Sequence, residues 1–97
     1  MNEQILQYEL RPPGEPIEKI CRLNLPIRAK VVKLHHFQGV PTIWVHCEYE
    51  ISGFTDRYFT VYADGEKIEP IEGKRLVYVD THFADGTAVH VFEIVDY

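Results

Sequence analysis

The stretch from Ala29 to Ile51 limits the fold more than any other, because one strand register alone gives it a clean apolar side. It reads as two strands around a turn at Gln38-Gly39-Val40-Pro41. Side chains alternate faces along a strand, so a slip of one residue would turn the apolar set outward. A two- or four-residue connection gathers Val32, Leu34, Ile43, Val45 and Cys47 on one face. A three-residue connection would mix Leu34 with Trp44 and is rejected. The opposite face then carries Val31, Lys33, His35, Phe37, Trp44, His46 and Glu48, too aromatic for an ordinary wetted surface. The hairpin is expected to have a core side and a contact side.

The same period of two recurs along the chain. Ile5 to Leu10 alternates as a half-buried strand, and Arg11-Pro12-Pro13-Gly14-Glu15-Pro16 forbids a regular element after it. A second strand is expected from Ile17 to Leu25, ended by Pro26, and another from Arg57 to Tyr62 with Phe59 and Val61 inward. Ala63-Asp64-Gly65-Glu66 reads as a hairpin turn leading to a short return strand over Lys67 to Glu72. Leu76 to Phe83 and Thr87 to Val95 flank Ala84-Asp85-Gly86, read as a three-residue loop. That loop sets Tyr78 opposite Phe92, Asp80 opposite His90 and His82 opposite Ala88. Both faces of this last hairpin are largely apolar, which suits a central position or cover by another subunit. No window has the three-to-four spacing of an amphipathic helix. The fold class expected is all-β: a single domain over residues 1–97, a small antiparallel β-sandwich or partly open barrel of about seven strands.

Ninety-seven residues suffice for one core, burying about 60–65% of the unfolded surface. A formal charge of −5 argues against broad nucleic-acid binding, which needs a basic face. Cys21 and Cys47 stand far apart without a Cys-x-x-Cys pair, as reduced core thiols of an intracellular protein do. No stretch approaches the ~20 apolar residues of a membrane span, and Met-Asn-Glu-Gln lacks the pattern of a signal peptide.

Five histidines raise the question of a metal. His35 and His36 are adjacent on a strand and point to opposite faces, while His35 and His46 share one with Glu48 beyond. Two imidazoles and a distant carboxylate fall short of a zinc set, so no metal and no cofactor is expected. Asp80 opposite His90 resembles an acid–base dyad, but Thr81 and Thr87 fall on the other face and supply no nucleophile. A structural pair, and no enzyme, is the expectation; a weak hydrolase on Asp80 and His90 is the third reading. Aromatic side chains beside cations are what binding surfaces use. The candidate binding residues are Lys33, His35, Phe37, Trp44, His46, Arg57, Tyr58, Tyr62, His82 and His90.

Tyr8-Glu9-Leu10, Leu25-Pro26-x-x-Ala29, Gln38-Gly39-Val40-Pro41-Thr42-Ile43-Trp44, Arg57-x-Phe59 and Val89-His90-Val91-Phe92-Glu93, in this order, resemble a family of small tailed-phage proteins. That family carries a domain of unknown function. The chain departs from its pattern where Gly-Thr-Gly-His precedes an Ile; here Ala63-Asp64-Gly65-Glu66-Lys67-Ile68 stands. The resemblance implies phage origin and β architecture but no reaction. By analogy with small phage proteins it suggests stoichiometric binding of a host protein, such as a defence component, in the bacterial cytoplasm. The alternative is an oligomer that sequesters a small nucleotide signal in a stacking pocket lined by Lys33, Arg57, Tyr58, Tyr62 and the histidines. A homo-oligomer, in the simplest case a dimer, is expected because two hairpins each present two apolar faces.

Overall fold

Period-two alternation is realised in seven antiparallel strands and no helix among the described residues, which in this computed structural model are 3–10, 20–37, 39–48, 53–84 and 86–97. The strands are β1 (Glu3–Glu9), β2 (Ile20–Pro26), β3 (Lys30–Phe37), β4 (Val40–Glu48), β5 (Phe54–Ala63), β6 (Lys74–Ala84) and β7 (Thr87–Asp96). They form a three-stranded sheet in the order β1-β4-β3 and a four-stranded sheet in the order β2-β5-β7-β6. The two sheets do not close into a barrel.

Apolar residues from both inner faces meet in one core. Leu10, Leu25, Leu34, Ile43, Val45, Phe59 and Val91 are completely or almost completely buried. Cys21 and Cys47 are buried thiols in the same cluster. Besides the sheet pairings, the edge strands β3 and β6 approach each other, so the sandwich is pinched along one side. Among the described residues no helix is long and apolar enough to cross a membrane.

The first hairpin uses the short connection. Phe37 pairs with Val40, and Gly39 takes the positive φ of 81° that such a turn requires. Its register nevertheless shifts by a β-bulge between Val31 and Lys33. Val31 pairs with Val45 and packs on the core, whereas Val32 is exposed. The expected places of these two valines are thus exchanged, because a bulge resets the alternation. The expected end of this hairpin at Ile51 lies outside the described residues.

Two further expectations are corrected. Lys67 to Glu72 forms no strand: β5 runs to Ala63, turns through Asp64-Gly65 and continues as an irregular connection to β6. The Glu66 carboxylate accepts from the Ala63 N–H, closing that turn locally rather than opening a hairpin. Pro70 has no N–H to offer a ladder, and the segment has no alternating apolar side to bury. The last hairpin is also not three-residue at its tip. Ala84 pairs with Thr87 around positions 85–86, of which Asp85 lies outside the described residues. A bulge between Tyr78 and Asp80 then restores the expected pairing of Tyr78 with Phe92. In the sheet, β7 is central but β6 is an edge strand. The second strand is described only from Ile20; its expected start at Ile17 falls outside.

Candidate functional site

Cross-strand register lays out the outer face of the three-stranded sheet in rows. Ile5, His46 and Lys30 form one row, Gln7, Trp44 and Lys33 the next, and Glu9, Thr42 and His35 the third. Trp44 therefore stands at the middle of the middle strand, 38% exposed. His46 Nε2 lies 3.3 Å from the Glu3 carboxylate, and the His35 ring sits tilted 6.0 Å from Trp44. Thr42 is buried, its hydroxyl donating to the Val40 carbonyl. Of the expected binding residues, Lys33, His35, Trp44 and His46 share this face. Phe37 lies in β3, with its side chain outside the described set.

The bulge in β6 decides where the next histidine goes. Past it, Asp80 pairs with Val91 and His82 with Val89, so both side chains change phase and turn toward β3. Asp80 accepts the Leu34 N–H at 2.9 Å, tying the two edge strands together. His82 stands against both histidines of β3, 5.7 Å from the His35 ring and stacked 5.6 Å from the His36 ring. Adjacent residues on a strand face opposite ways, yet both reach His82 because it approaches the strand at its edge. The expected Asp80–His90 pair does not form. Among the described residues no group of three or more His, Cys, Asp or Glu is arranged to hold a metal ion.

His90 instead belongs to a different constellation on the outer face of the four-stranded sheet. The bulge brings Thr81 opposite His90, and the Thr81 hydroxyl lies 2.9 Å from His90 Nδ1. Asp64, at the end of β5, reaches the other ring nitrogen, Nε2, at 3.3 Å. Tyr78 completes the chain, its hydroxyl 2.6 Å from that of Thr81. Asp64, Thr81 and Tyr78 were not among the expected site residues. The signal in the sequence was the polar pair Asp80-Thr81 inside an alternating apolar strand, where a phase shift lets each find a partner.

The remaining candidates divide. Tyr58 and Tyr62 are on the outer face with His90, Tyr58 exposed and Tyr62 buried. Thr60 between them is buried too, so the outer side of β5 is open from Phe54 to Tyr58 and covered from Thr60 to Tyr62. Arg57 is on the inner side, held by the Glu93 carboxylate and the Ala29 carbonyl, with its guanidinium 5.9 Å from the centre of the Phe59 ring. Lys33 and the two tyrosines thus lie on outer faces of different sheets, and within one copy they do not line a common pocket with Arg57.

No curated protein and no solved structure matches the chain. A family model matches over residues 1–96, nearly the whole length, and its description carries no activity. The chain belongs to the family described as Domain of unknown function (DUF7352).

Proposed function

We propose that this chain is a non-enzymatic binding protein of tailed-phage origin that docks a host protein through the outer face of its three-stranded sheet, blocking or redirecting it in the host cytoplasm. The observation that carries the reading is the position of Trp44. An indole exposed at the centre of a sheet, with Lys33, His35 and His46 around it, has the form of an aromatic anchor inside a polar rim. Phage origin and the host partner rest on the resemblance of the Gln38-to-Trp44 and Val89-to-Glu93 motifs. A defence component is the partner class this favours.

The test is retention of one identified protein from a bacterial host lysate on the immobilised chain. Wild type and Tyr97→Ala, a change at the exposed C-terminal residue, are expected to retain it, and Trp44→Ala to lose it. Equal retention by a folded Trp44→Ala protein would sink the reading.

A sponge for a small nucleotide has less support, since Arg57 is engaged by Glu93 and Ala29 and the other stacking residues are split between faces. The reading does include self-association. Phe54 and Tyr58 are in phase on β5 and exposed, with Ile94 and Leu76 in the same row as Tyr58. A two-fold contact between copies at this end would cover them and leave Trp44 to the foreign partner.

A further inference from the structure

The chain of contacts from Asp64 to Tyr78 has one consistent proton order when the imidazole is neutral. An ionised carboxylate only accepts, so His90 Nε2 carries the hydrogen and points it at Asp64. Nδ1 is then a bare acceptor and takes the Thr81 O–H. The Thr81 oxygen in turn accepts from the Tyr78 O–H. Each group orients the next, which is the logic of an activated nucleophile: a hydroxyl on a base, and the base held by a third group.

From this geometry we propose that Thr81 is a nucleophilic hydroxyl that accepts a short acyl group from an activated aryl ester. Thr81 and His90 are half-buried, so the hydroxyl is held on two sides and remains reachable. Beside them, Phe92 packs edge-on against Tyr78 at 5.7 Å and against Tyr62 at 6.1 Å, an aromatic wall suited to a flat leaving group. In the step, Thr81 Oγ1 forms a bond to the carbonyl carbon while its proton passes to His90 Nδ1. The bond from that carbon to the aryl oxygen breaks, and the phenolate takes the proton from His90. Ester and threonine become acyl-threonine and phenol, with no other reactant. Tyr78, donating to the Thr81 oxygen, orients the hydroxyl so that its proton points at His90 Nδ1. Asp64 is a positioning residue. The inference goes beyond the binding reading and uses the other sheet, so a Tyr97→Ala protein, changed at an exposed residue of neither site, should acylate at the wild-type rate.

The test is to incubate the full chain with p-nitrophenyl acetate, follow p-nitrophenolate release and map the acetylated residue by mass spectrometry. The expected result is one acetyl group, on Thr81, retained in Thr81→Ser and absent in Thr81→Val. His90→Gln should slow its formation on the order of 100-fold. Asp64→Asn should slow it as well, and Asp64→Glu should recover it. Acetyl groups on lysines or on His90 alone, or undiminished labelling of threonine in folded His90→Gln, would overturn the proposal. Should Thr81→Val fail to fold, the His90→Gln rate decides.

Discussion

Arg57 and Glu93 face each other fork to fork, Nε and Nη2 each donating to one carboxylate oxygen at 2.7 Å. Both side chains are about four-fifths buried, and the remaining guanidinium nitrogen donates to the Ala29 carbonyl, just ahead of β3. The pair therefore joins β5, β7 and the approach to β3. Arg57→Met leaves the Glu93 carboxylate without its partner at a site still partly wetted, and should cost about 2–3 kcal/mol. Arg57→Met with Glu93→Leu should regain most of that loss, because no charge is then stranded. Urea unfolding of the two variants measures both.

Asp80 works at the pinched side of the sandwich. One oxygen accepts from Leu34 N–H and the other from Thr81 N–H, and Leu34 is almost wholly buried. Asp80→Ala strands both donors and should destabilise by about 2 kcal/mol, while Asp80→Asn keeps one acceptor and loses less. Faster hydrogen exchange at the Leu34 amide in Asp80→Ala, without a change at Val91, would place the damage at this seam.

How far the fold could be read follows from where alternation holds. The inward set Leu34, Ile43, Val45, Phe59 and Val91 stands in uninterrupted pleats, and period two places each of them. Two extra residues defeat the reading. The bulges at Val31–Lys33 and Tyr78–Asp80 reset the alternation, and the residues that follow them include the Leu34–Asp80 pair, a partner across two sheets that no local pattern encodes. Trp44 and its neighbours were legible for the same reason the core was, since β4 has no bulge. The Thr81–His90 relay was not, because the tip of the last hairpin looked one residue longer than it is.

Burial raises the Tyr8 phenol above its ordinary value of 10.0, and the charge of an ionised Cys47 pushes it the same way. The folded protein then holds this proton more tightly than the unfolded chain does. Stability from this source is complete below pH 10 and falls as the pH rises above it, where the unfolded chain ionises first. Tyr8→Phe removes the titrating group. Urea midpoints followed upward from neutral pH should decline less steeply above pH 10 for Tyr8→Phe than for wild type, and parallel curves would contradict the assignment.

Self-association is decided by mass. The molecule extends 42 by 34 by 24 Å, so a broad face can supply the about 800 Å² per partner that a stable dimer buries. Phe54 and Tyr58, 55% and 42% exposed, are the exposed aromatic residues at one end of such a face. Light scattering during size exclusion is expected to give twice the chain mass for wild type and Trp44→Ala, and the single mass for Phe54→Ala with Tyr58→Ala. A monomer at every concentration would free the Phe54–Tyr58 end of the four-stranded sheet and leave the Trp44 face as the contact face. Dissociation by Trp44→Ala instead would assign the indole to a second copy, and the host partner would then have to meet the dimer elsewhere.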